Sequence, residues 1–124
     1  MLLRIYTDGA ARGNPGKSAS GYSISDAHGK LIYKNTEYNG IATNNVAEYN
    51  AVINALRKAI DRLGEDNDIE LFSDSKLIVN QLNGNYRVKD SKLKELNSEA
   101  MVLLNKFKSH SLKNVPRENP GIVA

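Results

Sequence analysis

The apolar residues change their spacing after Tyr38, and this change decides the class of fold. Up to Tyr38, short apolar runs rich in strand formers alternate with turn residues, whereas from Tyr49 to Leu63 apolar residues recur every three or four positions. The first pattern is typical of β-strands joined by tight turns, and the second of an amphipathic helix. We therefore expect an antiparallel meander of three strands, followed by a long helix that crosses over to another strand.

These patterns predict eight elements. Segment Arg12–Lys17 consists almost entirely of turn residues and predicts a loop. Strands are expected at Leu3–Thr7, Ser20–Ser25, Leu31–Tyr38, Ile69–Phe72 and Ser109–Val115, a long helix up to Gly64, a short helix from Asp74-Ser75 to Leu82, and a third helix carrying Leu93 to Phe107. The order β-β-β-α-β-α-α-β predicts an α/β fold, a five-stranded mixed sheet with three antiparallel strands, parallel crossovers and flanking helices.

Length and composition limit the classes of function. The 124 residues suit one domain, and no apolar run approaches the roughly 20 residues that cross a bilayer. The absence of cysteine excludes a disulfide framework and a thiolate metal site. The net charge of +3 is compatible with a polyanionic partner but does not require one. We expect a monomeric, cytoplasmic protein without membrane contact.

Three acidic residues stand where a site can be built, although each also has a structural explanation. Asp8 precedes Gly9 at the predicted end of the first strand and could be a turn residue. With Asn45 as N-cap, Glu48 would complete a capping box, and Asp74 could be an ordinary N-cap. Together the three residues favour a functional site, because a crossover places the two strand ends side by side. Glu48 lies at the start of the predicted helix that connects these strands.

The predicted chemistry follows from like charges in one place. Converging carboxylates repel one another, so ionising all of them requires a compensating cation. Their hard oxygen atoms suit Mg²⁺ or Mn²⁺ rather than zinc. Two such ions about 4 Å apart can activate a water molecule and stabilise the leaving oxygen of an in-line phosphoryl displacement. Asp8, Glu48 and Asp74 therefore predict metal-dependent phosphodiester hydrolysis.

Three segments resemble the core motifs of the type 1 ribonuclease H family. They are Tyr-Thr-Asp-Gly-Ala-Ala-Arg-Gly-Asn-Pro-Gly (6–16), Thr-Asn-Asn-Val-Ala-Glu-Tyr (43–49) and Ser-Asp-Ser-Lys-Leu-Ile-Val-Asn-Gln-Leu (73–82). Val-Pro-Arg-Glu-Asn (115–119) resembles the start of the fourth motif. The resemblance implies the ribonuclease H-like fold and an endonuclease that hydrolyses the RNA strand of RNA/DNA hybrids with two Mg²⁺ or Mn²⁺ ions, leaving 5′-phosphate and 3′-hydroxyl ends.

The resemblance also implies roles for individual residues. Asp8, Glu48 and Asp74 would be the catalytic metal ligands. The other positions would contact the substrate: Gly9, Asn14, Asn44 and Asn45 in the groove that holds the hybrid, Thr43 at a DNA phosphate, Asn80 near the RNA strand, and Arg117 at a phosphate or the product. Short amides suit this task, because groove shape and 2′-hydroxyl groups distinguish a hybrid. Capping by Asn44 or Asn45 and a turn role for Asn14 are the structural alternatives.

The sequence departs from the family pattern in two places. The chain has no tryptophan and no basic protrusion after residue 84, so we expect weak, salt-sensitive binding. The fourth active-site aspartate of the family, which follows the Arg-Glu-Asn motif, has no counterpart before Ala124, and the final helix is absent too. Either the sequence stops before that aspartate, or the site is unusual and Asn119 stands in for it.

Three other functions remain open at this point. The chain could be another nuclease of the ribonuclease H-like superfamily, although the Gly-Asn-Pro-Gly loop and Asn44-Asn45 are not expected there. It could be a non-catalytic or weakly active hybrid-binding domain, as the missing carboxylate suggests. It could also be the ribonuclease H domain of a reverse transcriptase, but the Met1 start and complete first strand favour a free-standing protein.

Overall fold

The computed structural model describes residues 1–116, and within them the eight elements follow the predicted order. The strands are β1 Leu2–Arg12, β2 Gly16–Asp26, β3 Leu31–Ala42, β4 Asp68–Ser73 and β5 Ser109–Asn114; the helices are α1 Asn44–Leu63, α2 Lys76–Leu82 and α3 Ser91–Leu104. The N-terminal half is thus the meander with its long helix, and the C-terminal half alternates strands and helices.

The five strands of the described residues form one mixed sheet in the order β3-β2-β1-β4-β5. β1 pairs antiparallel with β2, and β2 pairs antiparallel with β3, which confirms the predicted meander. β4 pairs parallel with β1, from Leu2↔Asp68 to Thr7↔Ser73, and β5 pairs parallel with β4. The predicted α/β fold class is therefore confirmed, and the crossover through α1 brings β4 beside the first strand.

One hydrophobic core lies between the sheet and the helices. The alternate residues Leu3 and Ile5 of β1 are fully buried, as are Val52 and Leu56 on the predicted apolar stripe of α1. Each such side chain stabilises the fold by about 1.5–3 kcal/mol relative to an exposed position. α1 packs across β1 and β2 and against α3, which fixes its first turns relative to the sheet. None of the helices in residues 1–116 is both long enough and apolar enough to cross a membrane.

The strands of the meander are longer than the apolar runs predicted. The expected loop Arg12–Lys17 shortens to a turn at 13–15, because Arg12 pairs with Lys17 and Ala10 with Ala19 across the hairpin. These residues are weak strand formers, so local sequence does not mark them as strand. Asp8 therefore lies within β1 rather than at its end, and the turn interpretation of Asp8 is wrong.

The helix ends also differ from expectation. Thr43, not Asn45, is the N-cap of α1, since its hydroxyl accepts from the Val46 N–H at 3.2 Å. The capping-box role of Glu48 is therefore wrong, because Glu48 lies beyond the first helical turn. Ser75 rather than Asp74 caps α2, with its hydroxyl accepting from the Ile78 N–H. α3 ends at Leu104, so Phe107 joins the core from outside the helix.

Candidate metal centre

Three carboxylates meet where the β1–β4 ladder ends: one from β1, one from α1 and one from the connection after β4. Asp8 and Asp74 directly follow Thr7 and Ser73, the last pair of residues matched between these parallel strands. Glu48 reaches them from α1. One carboxylate oxygen of each residue lies within 4.8 Å of the other two. The structure thus brings together the three acidic residues that the sequence singled out.

β1 continues beyond β4, and its free edge there bonds to side chains of α1. The Gly9 N–H donates to Glu48 Oε1 at 2.7 Å, and the Ala11 N–H donates to Asn44 Oδ1 at 2.8 Å. Asn44 and Glu48 are four helical residues apart, about 6 Å, and two strand residues span about 7 Å. The rise of one helical turn therefore nearly equals the spacing of alternate residues in a strand. As a result, side chains at the start of α1 bond to this edge of β1 where a neighbouring strand would otherwise pair.

Gly9 allows α1 to come this close to the sheet. A Cβ at position 9 would lie 2.3 Å from both the carbonyl carbon and the carbonyl oxygen of Ala47. The same carbonyl oxygen accepts a hydrogen bond from the Ser20 hydroxyl at 2.6 Å, which ties α1 to β2. Glu48 follows Ala47, so the absence of a side chain at Gly9 sets the position of the glutamate.

Gly9→Ala should destabilise the protein and displace Glu48. The added methyl group meets backbone rather than a flexible side chain, so α1 has to move, and overpacking of this kind costs about 1–3 kcal/mol. The melting temperature measures the effect, and Ala10→Ser, one added atom at the exposed neighbouring position, is the control. A Gly9→Ala melting temperature equal to that of the parent would show that the contact between α1 and β1 is not tight.

Glu48 is held in an environment that opposes its negative charge. Its side chain is only 5% exposed, and its pKa is raised to about 8 by burial first and by the charge of Asp74 second, with a smaller contribution from Asp8. The Gly9 N–H and the Ser73 hydroxyl, which donates to Glu48 Oε2 at 3.3 Å, act in the opposite direction. A cation beside the three carboxylates would favour the ionised form.

The side chains of this cluster fit a hard divalent cation. Ligand oxygens lie about 2.0–2.1 Å from Mg²⁺, so oxygens on opposite sides of one ion are about 4 Å apart. The three carboxylate oxygens come within 4.8 Å of one another, close to that spacing. The cluster consists of carboxylates alone, a donor set that suits Mg²⁺ or Mn²⁺ better than zinc or copper.

A cleft of about 380 Å³ opens onto the carboxylates, and asparagines form part of its wall. Gly9, Asn44 and Asn45 line it beside Glu48 and Asp74. Outside this lining, Asn14 in the β1–β2 turn is connected to it, because Asn14 Oδ1 accepts from the Asn44 N–H at 3.0 Å. The predicted substrate-contacting residues at positions 9, 14, 44 and 45 therefore lie in or beside one cleft.

The remaining predicted contacts are not among the residues that line this cleft. Thr43 caps α1 through its hydroxyl. Asn80 lies on α2, where its amide donates to the Lys76 carbonyl at 2.8 Å and its Oδ1 accepts from Asn85. Neither residue lines the cleft, and the contacts of Asn80 organise the connection to α3. Arg117 and Asn119 lie outside the described residues.

Comparisons with known proteins agree with this architecture. The model of a family described as "Reverse transcriptase-like" matches residues 6–122. The crystal structure of RNase H1 from the halophilic archaeon Halobacterium salinarum superposes with a TM-score of 0.90 and 41% sequence identity, covering 94% of this chain and 87% of that one. The chain belongs to the type 1 ribonuclease H family. The family predicted from the motifs is thereby confirmed.

Two further relatives are similar to this chain in sequence or in structure. The curated Ribonuclease HI of Halobacterium salinarum is 43% identical over 115 residues, which is 93% of this chain but 57% of the relative. The chain thus spans little more than half of that relative's length. LC11-RNase H1, solved in complex with an RNA/DNA hybrid, superposes with a TM-score of 0.88 and 38% identity, covering 94% of this chain and 86% of that one.

Sequence reasoning missed Ser73 as part of the candidate metal centre of this type 1 ribonuclease H family member. Ser73 is buried, its hydroxyl donates to Glu48, and the same oxygen accepts from the Ser75 N–H at 3.1 Å. One signal was available. Ile69 and Leu71 occupy the inward positions of β4, and Ser73 continues their alternation as a polar residue in a buried place.

Proposed function

We propose that this chain is an endonuclease that hydrolyses the RNA strand of RNA/DNA hybrids with the help of divalent cations. The observation that carries the proposal is the convergence of Asp8, Glu48 and Asp74 within 4.8 Å of one another, with Glu48 and Asp74 lining a cleft beside Asn44 and Asn45. The family membership and the hybrid bound to LC11-RNase H1 support the choice of substrate.

In this proposal the three carboxylates hold two Mg²⁺ or Mn²⁺ ions together with the substrate. Such ions, when bound, supply positive charge for the developing charge on the phosphate oxygens and make a water molecule more acidic. The protein's own contribution is to fix the carboxylates: hydrogen bonds from Gly9 and Ser73 hold both oxygens of Glu48 in place. The attacking water forms a bond to phosphorus as the bond to the 3′-oxygen breaks, which leaves 3′-hydroxyl and 5′-phosphate ends.

The asparagines of the cleft are suited to contacting the grooves of a hybrid. Asn14 and Asn44 both use their carbonyl oxygens to accept backbone N–H groups, at 3.0 and 2.8 Å. This use fixes the orientation of each amide and leaves the NH₂ groups as donors. The minor groove presents acceptors, namely base edges and 2′-hydroxyl oxygens, so donors at this position fit a nucleic-acid duplex.

A substrate panel tests this function. Purified protein is incubated in Mg²⁺ or Mn²⁺ with an end-labelled RNA/DNA hybrid, duplex DNA and duplex RNA of one sequence. We expect cleavage of the hybrid alone, with the RNA strand cut internally and no cleavage in excess EDTA. Cleavage of duplex DNA instead would indicate a different nuclease of the superfamily. Binding of the hybrid without cleavage in either metal would indicate a non-catalytic binding domain.

A further inference from the structure

A second surface adjoins the acidic cleft at the ends of the three meander strands. We call it the distal patch and define it as Arg12, Lys17, Tyr38 and Ile41. In the sheet register Arg12 faces Lys17, which faces Ile41, and Ala10 faces Ala19, which faces Tyr38. Residues that are paired across the sheet lie on the same face. Asp8, Ala10 and Arg12 are every second residue of β1, so they also lie on one face. The distal patch therefore lies on the sheet face that carries Asp8.

A β-bulge gathers the apolar part of the distal patch. Tyr38 and Ile41 are three positions apart, a spacing that puts residues on opposite faces of a regular strand. The register shift between Ser18 and Ala19 leaves Asn39 without a partner and returns Ile41 to the face of Tyr38. Both side chains are open to solvent, with Tyr38 88% and Ile41 70% exposed.

The charges of the distal patch are positive and uncompensated. Arg12 and Lys17 are exposed, and within residues 1–116 neither forms an ion pair with an acidic side chain. A cavity of about 490 Å³ is lined by both of them together with Tyr38. Nucleic-acid strands are commonly bound by this combination of groups. Basic side chains contact the phosphates, and the face of an aromatic ring stacks on a base or packs against a sugar.

The distal patch is continuous with the candidate metal centre. Its cavity shares Ala10 and Ala11 with the acidic cleft. Arg12 lies four residues beyond Asp8 on β1, about 14 Å along the strand. A duplex rises about 3.4 Å per base pair, so this distance corresponds to roughly four base pairs.

We propose that the distal patch binds the sugar–phosphate backbone of the substrate about four base pairs from the scissile phosphate. This inference rests on the proposed function, which supplies a hybrid in the acidic cleft. Arg12 and Lys17 neutralise phosphates, and the ring of Tyr38 packs against a sugar or a terminal base. The patch thus adds affinity on one side of the cleavage position for hybrids long enough to reach it.

A series of hybrids of increasing length tests the proposal. A chimeric strand with a short run of ribonucleotides fixes the cleavage position, and the duplex is extended by two to eight base pairs on one side or the other. For the parent protein, KM should fall by about fivefold or more once the extension on one side passes roughly four base pairs. kcat should stay constant.

Two variants remove the contacts without touching the cleft. Tyr38→Ala should abolish the fall in KM, and the double variant Arg12→Ala/Lys17→Ala should also reduce the slope of log KM against log salt by about two. Lys30→Ala, an exposed lysine in the β2–β3 turn at the other end of the same strands, is the control. It should behave like the parent in both measurements.

The outcomes separate this inference from the proposed function. If the parent cleaves all hybrids with one KM, or if the variants retain its length dependence, the distal patch does not bind substrate although the function stands. If the parent cleaves nothing, the proposed function fails. In that case, fluorescence anisotropy measures binding of the same hybrids to the same proteins in EDTA and tests whether the distal patch binds substrate. Equal affinities for all lengths, or for the parent and the variants, would overturn the proposal.

Discussion

Asp8→Asn should abolish hybrid cleavage while leaving the fold intact. Asparagine has the size of aspartate but no negative charge, so it cannot complete the set of three carboxylate oxygens that lie within 4.8 Å of one another. Loss of metal-assisted charge stabilisation costs several kcal/mol in the transition state, which corresponds to a fall in kcat of about 10³-fold or more. Initial rates with a saturating hybrid in Mg²⁺ measure the effect.

Asp61→Asn provides the matched control for this prediction. The substitution is identical, and the Asp61 side chain on α1 is 76% exposed. Its cleavage rate and melting temperature should match those of the parent. Circular dichroism should show that Asp8→Asn is also folded. If a folded Asp8→Asn protein cut the hybrid at the parental rate, the assignment of the site to these carboxylates would be wrong.

Glu48→Gln should stabilise the metal-free protein at pH 8 and remove its response to Mg²⁺. Burial raises the Glu48 pKa from its usual 4.5 to about 8 in the folded state. The folded protein therefore holds a proton that the unfolded chain releases. The stabilisation that this proton gives is complete below pH 4.5, declines as the pH rises, and is lost above about pH 8.

The expected size of this effect is large for a domain of this length. Each pH unit in the window lowers the free energy of unfolding by up to about 1.4 kcal/mol, so the total is a few kcal/mol out of roughly 5–15. Glutamine can still accept from the Gly9 N–H and can donate to the Ser73 hydroxyl, so the variant keeps its contacts without the charge. It should also fail to cleave the hybrid.

Thermal denaturation in EDTA between pH 4.5 and pH 8.5 measures this prediction. The parent should lose stability relative to Glu48→Gln as the pH rises, and Mg²⁺ should restore it at pH 8 only in the parent. Glu65→Gln, at an exposed position after α1, is the control and should follow the parent. Parallel curves for the parent and Glu48→Gln would mean that Glu48 is ionised at no cost in the folded state.

Local sequence predicted the elements but not their full extent. The stripe from Tyr49 to Ala59 and the runs at Leu3–Thr7 and Ile69–Phe72 identified α1, β1 and β4, because burial imposes those periods directly. The outer half of β1 was missed because Gly9-Ala10-Ala11 has little strand propensity. It is a strand because β2 pairs with it on one side and Asn44 and Glu48 bond to its other edge.

The candidate site was predicted only in part for the same reason. The three carboxylates could be found because Asp8 and Asp74 come just after apolar runs typical of strands, and Glu48 directly precedes the apolar stripe of α1. Thr43, Asn44 and Asn45 are all good N-caps, but Thr43 caps α1, whereas the Asn44 side chain accepts from the Ala11 N–H of a distant strand. The contact of Gly9 with Ala47 and the bond of Ser73 to Glu48 arise between distant segments, so no local pattern encodes them.

The parallel pairing of β4 with β1 has a consequence for the protein during its synthesis. Asp8 and Asp74 become neighbours only when β4 docks beside a strand made many residues earlier, so a ribosome-bound chain ending at Leu63 has at most two of the three acidic groups. Translation proceeds at about 5–20 residues per second, so the segment from Gly64 to Ser73, which completes β4, is added in roughly 0.5–2 seconds. A nascent chain therefore cannot assemble the complete carboxylate cluster before Asp74 has been synthesised and β4 has docked beside β1.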